Sequence, residues 1–171
     1  EDGDTLVKVV DNINPYLIAA PNILIEPRKQ SLALEAEITD GCGALDGGNL
    51  VLDAADVEEI RSTDLQANEM FVRPYTGSSE FIRGNLRWCL WIEDELLEVA
   101  SKIPTIQERI QATKAFRESA GTRAKTAVGR PHKFAWINQS EGSQIVVPKH
   151  FSEKREYLTA GYFNSRYIVS N

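Results

Sequence analysis

The stretch FVRPYTGSSEFIRGNLRWCLWI, residues 71–92, decides how this chain is read. Its first half continues MFVRPY, apolar, β-branched and aromatic residues that predict a strand. Pro74 has no N–H to offer a neighbouring strand and so assigns this one to a sheet edge or a strand end. Leu86, Trp88, Leu90 and Ile92 then alternate with Arg87, Cys89 and Trp91, the period of a second strand. Gly84-Asn85, tolerant of left-handed backbone, supplies the turn of a hairpin. On that hairpin the tryptophans read as core. Arg73, Arg83 and Arg87 read as its rim, with Arg73 also able to pair with Glu80.

Outward from the hairpin the pattern alternates between strands and helices. LVKVV (6–10), SLALEAEI (31–38), NLVL (49–52), KFAWIN (133–138), QIVVP (144–148) and SRYIVS (165–170) read as strands or extended segments. The glycine-dense run TDGCGALDGGN requires a tight loop with positive backbone torsions. Asp53 caps a short helix, AADVEEIRS, whose Val57 and Ile60 face inward. Acidic residues at 93–95 and Lys102 suit the two ends of another helix. Pro104 opens the longest one, expected over 104–125, with Ile103, Ile106, Ile110 and Phe116 on one face and Arg109, Lys114, Arg117 and Lys125 elsewhere. The expected fold class is α+β: a mixed, largely antiparallel sheet with one long helix and two or three short helices.

The chain has 171 residues, 42% of them hydrophobic, enough for one core. No run of eighteen apolar residues occurs, so no membrane helix is expected. An acidic start without methionine or a basic leader suggests a piece of a longer protein, and two cysteines far apart in sequence suit a cytoplasmic one. Cys42 and Cys89 read as ordinary thiols, and with His132 and His150 as the only histidines no metal-ligand spacing arises.

The formal net charge is −6, which alone argues against a nucleic-acid partner. Its distribution argues the other way: residues 1–70 carry −11, residues 71–171 carry +5, and residues 109–155 carry +7. Such segregation gives one half of the chain the means to attract phosphates.

Two motifs near the N-terminus imitate catalytic ones. Asn14-Pro15-Tyr16 lacks the second proline of the loop by which amino-directed DNA methyltransferases hold a flipped base. DGCGALDGG lacks the strand and helix that would make it a cofactor loop. The two lie 27 positions apart, too close for the crossovers that would set them at the ends of different parallel strands. No nucleophile elbow, phosphate loop or paired-histidine helix occurs either, so no catalytic residue is assigned.

The segments SLALEAEITDGCGALDGGNLVL, FVRPYTGSSEFIRGNLRWCLWI, IPTIQERIQATKAFRESAGTRAKT, QIVVPKHFSEKREYLTAGYF and SRYIVSN, in this order, closely resemble the target-recognition domain of MmeI-type (type IIL restriction-modification) adenine-specific DNA methyltransferases. The resemblance implies a single reading domain over residues 1–171, with 1–30 a candidate linker or arm from a preceding catalytic domain. It implies double-stranded DNA and the parent's methyltransferase domain as partners. S-adenosylmethionine would bind in that other domain, and no cofactor in this one. A protein-interaction module of a bacterial defence complex, without direct DNA readout, is the competing reading.

A DNA reader needs phosphate contacts for register and base-edge contacts for specificity. Asn and Gln suit adenine, Arg and Lys guanine, and carboxylates the cytosine amino group. NQSEGSQIVVPKHFSEKRE supplies all of these types. Lys149, His150, Ser152, Glu153, Lys154 and Arg155 are the first base-reading candidates, and Asn138, Gln139 and Gln144 stand behind them. An ordinary polar surface loop would carry the same residues. Arg73, Arg83, Arg87, Arg123, Lys125, Arg130 and Lys133 are the phosphate candidates.

Overall fold

The computed structural model describes residues 7–24, 26–28, 38–150, 152 and 154–170. The chain divides into two units, Glu1–Ile38 and Thr39–Asn171. In the first, Val7–Val10 form no strand, a departure from the alternation of their side chains; no partner strand pairs with them among the described residues. The strand expected at 31–38 lies almost wholly outside the described residues. Asn14-Pro15-Tyr16 is a local turn, in which the Asn14 side-chain oxygen accepts from Tyr16 N at 3.0 Å and Ile18 N at 3.1 Å.

The second unit is α+β. A four-stranded sheet runs in the order β1 (Val51–Leu52), β3 (Arg87–Leu90), β2 (Val72–Thr76), β6 (Ile168–Val169). The first two pairings are antiparallel and β2 with β6 is parallel, so the sheet is mixed and largely antiparallel. A two-stranded antiparallel ribbon joins β4 (Gln144–Val146) to β5 (Gly161–Phe163). The long helix is α5 (Pro104–Ser119); shorter ones are α1 (Ala54–Thr63), α2 (Leu65–Phe71), α3 (Ser78–Arg83), α4 (Leu97–Ala100) and α6 (Thr122–Lys125).

Local chemistry explains where these elements begin. Asp46 is buried and accepts hydrogen bonds from the backbone N–H groups of Leu50 and Val51, turning the chain into β1. Gly47 and Gly48 before it have φ of +67° and +84°, the torsions the glycine run required. Asp53 and Asp56 form a reciprocal capping box at the start of α1. Arg109 of α5 then pairs with Asp56 and donates to Asn49 O at 3.2 Å, fastening the long helix to the loop before β1.

Three expectations are corrected. β2 and β3 do pair, but not through a two-residue turn: α3 lies between them, and Gly84, at φ +71°, is its left-handed C-cap. β2 is an interior strand, although it contains Pro74. Trp91 N donates a ladder bond to Phe71 O at 2.8 Å, so Pro74 opposite Trp88 falls at a non-bonded pair with its nitrogen turned from β3; β6 pairs only from Tyr75 onward. No ladder bond is lost. Finally, α5 ends at Ser119 rather than near 125, and its Arg117 is fully buried rather than on the outer face.

The core gathers Cys42, Leu50, Leu52, Ile60, Phe71, Cys89, Leu90, Ile92, Ile106, Phe134 and Ile168 between the sheet and helices α1 and α5. Trp88 and Trp91 are half-buried and pack against its margin. Burial raises the pKa of both thiols and keeps them protonated.

Candidate nucleic-acid interface

Between the end of α5 and Trp136 the chain winds through α6 and two further turns, closed by Arg130 N to Ala127 O at 3.2 Å and Lys133 N to Arg130 O at 3.1 Å. This short segment carries Arg123, Lys125, Arg130 and Lys133. Arg123 stands over the ring of Trp136 with its guanidinium carbon 4.1 Å from the centroid. Trp136 is fixed in turn: its Nε1 donates to Gly41 O at 3.1 Å, its backbone bridges Gly43, and its ring fills the space beside that glycine. The strand expected at 133–138 is thus reduced to one bridge. Arg130 donates to Ala135 O, and Lys125 is exposed.

Lys133 behaves differently. Its Nζ lies 2.6 Å from Asp94 and 3.8 Å from Glu93, and the neighbouring His132 places Nε2 2.8 Å from the same Asp94 carboxylate. These contacts, Lys133 first and His132 second, hold the Asp94 carboxyl below its ordinary pKa. They tie the segment to the start of the Asp94–Leu96 turn.

On the central sheet, Arg87 meets Glu80 at 3.4 Å and lies over Tyr75, 5.8 Å from its centroid. Arg73 is half-buried in β2, and Arg83, at the last turn of α3, is exposed. Among the described residues no carboxylate lies in ion-pair range of Arg73, Arg83, Arg123, Lys125, Arg130, Lys154 or Arg155.

The base-reading candidates divide into two groups. Asn138 donates through Nδ2 to Asp40 O at 2.9 Å. Gln139 donates through Nε2 to Ser165 O at 2.9 Å and Tyr167 O at 3.1 Å, and Gln144 to Tyr167 O at 3.0 Å. These three amides anchor the β4–β5 ribbon and the approach to β6. The others sit on the long connection between β4 and β5, where Lys149 pairs with Asp40 at 3.3 Å and His150, Ser152, Lys154 and Arg155 are exposed. Arg155 reaches Thr159 Oγ1 at 2.8 Å, and Glu153 lies outside the described residues. At the root of this connection Ile145 and Tyr162 oppose each other across the ribbon, 74% and 75% exposed.

Two residues that matter here escaped the sequence reading. Trp136, under Arg123, carries no local signal that it faces a cation. Arg117 does: Ile106, Ile110, Thr113 and Arg117 are all buried at helical spacing, so the arginine continues the apolar stripe of α5.

The arrangement is a glycine-rich loop filled by the chain's own rings, a cationic segment laid against it, and a polar connection on a two-stranded ribbon. Residues 19–171 match the family model of the MmeI target recognition domain, and the chain belongs to that family. DNA methyltransferase A of Bacillus subtilis (strain 168) is 32% identical to it over 169 residues, which are 98% of this chain and 19% of that protein. The type IIL restriction-modification enzyme MmeI, solved in complex with DNA, matches 98% of this chain and 22% of its own, with a TM-score of 0.80 and 25% identity. The chain therefore spans about a fifth of the length of each relative.

Proposed function

We propose that this domain grips duplex DNA and reads part of its sequence for a methyltransferase carried in the rest of a longer chain. The observation that carries the reading is its likeness to MmeI, an enzyme solved with DNA, over 98% of its length. The cations of the segment after α5 and of the β4–β5 connection support it, because most have no carboxylate in ion-pair range among the described residues. Arg73, Arg83, Arg123, Lys125 and Arg130 are assigned to phosphates, and Arg87 and Lys133 join them by exchanging their present carboxylate partners. Lys149, His150, Ser152, Glu153, Lys154 and Arg155 are assigned to base edges.

The parent protein methylates the exocyclic amino group of adenine with S-adenosylmethionine, serves a cytoplasmic restriction-modification system directed at phage, and binds its cofactor outside this domain. The glycine loop supports that last point. A side chain on Gly43 would meet the Trp136 ring at 1.9 Å, one on Gly47 would meet Phe116 at 2.8 Å, and the carbonyls of Ala44 and Leu45 face Arg117. At Gly43 and Gly47 the chain's own rings occupy the space through which a cofactor would approach the backbone.

Fluorescence titration with labelled duplex DNA at several salt concentrations tests the proposal. Affinity should fall steeply, with a log-log slope of about −0.9 for each phosphate neutralised. Calorimetry with S-adenosylmethionine should give no heat of binding. A flat salt response would instead favour a protein-interaction module.

A further inference from the structure

Arg117 is the largest fully buried side chain among the described residues, and no carboxylate there lies in ion-pair range of it. Asp46, a buried acid whose charge acts on it, is occupied by the N–H groups of Leu50 and Val51. A buried cation without partners is costly, so its satisfaction must come from elsewhere. A guanidinium has five N–H donors in one rigid plane. All of that capacity goes to backbone carbonyls: Nε donates to Leu45 at 2.9 Å, Nη1 to Ala127 and Arg130 at 2.9 Å each, and Nη2 to Ala44 at 2.8 Å and Lys133 at 2.7 Å.

The acceptors are unusual in their distribution. Two belong to the glycine-rich loop before β1. Three follow one another at intervals of three residues through the turns after α6, each turn directing a carbonyl inward. Arg130 is carried by these turns and Arg123 and Lys125 by α6 immediately before them, and all three are exposed. α6 is a single turn and the residues after it are held to one another only by short-range turn bonds, so Arg117 is what joins these turns to the glycine-rich loop.

We infer that Arg117 is a positioning residue for DNA contact: its five-way clamp holds the 122–133 segment in the one arrangement that presents Arg123, Lys125 and Arg130 to the phosphate backbone together. The inference rests on the DNA-reading function proposed above. Its physical basis is preorganisation, since a segment ordered before association does not lose that conformational freedom on binding. Lysine would keep the charge but bring only three donors from a single nitrogen, which cannot span acceptors on two separate segments in the same plane.

The test compares wild type with Arg117→Lys. Each is titrated with a fluorescein-labelled duplex of mixed sequence at several salt concentrations, and followed by amide hydrogen exchange. The variant should remain folded, bind about tenfold more weakly, and show a salt slope shallower by roughly one phosphate's worth. Exchange should accelerate at residues 127–133 and stay unchanged in β2 and β3. In a background carrying Arg123→Ala, Lys125→Ala and Arg130→Ala, Arg117→Lys should cost little further affinity, because the side chains it positions are gone. A merely structural arginine would give an additive loss there and an unchanged slope, which overturns the inference while leaving the DNA reading intact. Failure of Arg117→Lys to fold would make the residue a stability element and also overturn it. If wild type itself binds the duplex without salt dependence, the DNA reading fails first and the inference falls with it.

Discussion

The guanidinium of Arg123 stands over the indole of Trp136, which the carbonyl of Gly41 holds from the opposite part of the chain. An exposed arginine on a flexible stem would ordinarily lose rotamer freedom on meeting a phosphate. Stacking removes part of that freedom in advance and leaves the N–H edge open. Arg123→Ala should therefore leave the melting temperature nearly unchanged, as expected for a surface substitution within about 0.5 kcal/mol. Binding to every duplex should weaken by a similar factor, and the salt slope should lose about 0.9. Titration against two unrelated sequences checks this, and a loss confined to one of them would make Arg123 a base reader.

Asp94 gives the domain a pH dependence of defined sign. Lys133 and, second, His132 lower its folded-state pKa below the ordinary value of 3.8 that it regains on unfolding. The unfolded carboxyl thus takes up its proton first as pH falls. The stabilising contribution is full above 3.8 and is lost as pH drops through the folded-state value. Wild type should melt above Asp94→Asn at neutral pH, and the two should converge in acid. A gap that stays constant across that range would show that the contacts of Asp94 do not depend on its charge.

What the sequence made legible was mostly what neighbouring residues decide. The Asp53 capping box, the left-handed glycines before β1 and the Pro104 start of α5 each depend on residues within a few positions, and each is found. The role of Pro74 was not legible, because whether β2 is an edge depends on β6, over ninety positions away. α3 replaced the expected hairpin turn because Gly77 N bonds to Glu80 and opens a helix within a stretch too short to show a period. For the candidate site, the charge distribution pointed to the segment around Arg123–Lys133. Which cations are open was partly hidden, since Asp94 and Asp40 lie far in the chain from Lys133 and Lys149, whereas Glu80, a near neighbour, pairs with Arg87 rather than Arg73.

Neighbours on β3 should respond to truncation in the reverse order of their size. Leu90 is 1% exposed in the centre of the sheet, whereas Trp88 is half-buried at the core margin, beside Pro74 and Tyr167 on an open cleft of about 730 Å³. Leu90→Ala should cost about 2–5 kcal/mol, the range for a fully buried leucine. Trp88→Ala should cost less than the roughly 3–5 kcal/mol of a buried ring and leave the domain folded. Urea denaturation of both variants gives the comparison. A larger loss for Trp88 would place the ring deeper in the core than its exposure indicates.

Arg155 separates reading from gripping. It is exposed on the β4–β5 connection, without a carboxylate among the described residues in ion-pair range, and its Nη1 donates to Thr159 Oγ1 at 2.8 Å. A hydroxyl neither neutralises the guanidinium nor occupies both of its forked donors, so the pair of N–H groups that recognises guanine O6 and N7 is available. Arg155→Ala should cost about 1–3 kcal/mol on the cognate site and little on random duplex. The cognate site is found by selecting bound duplexes from a randomised pool with wild type, and the variant is then measured on the winners and on unselected DNA. Equal losses on the two would reassign Arg155 to a phosphate, and Thr159→Val, which frees the guanidinium, should not lower cognate affinity in either case.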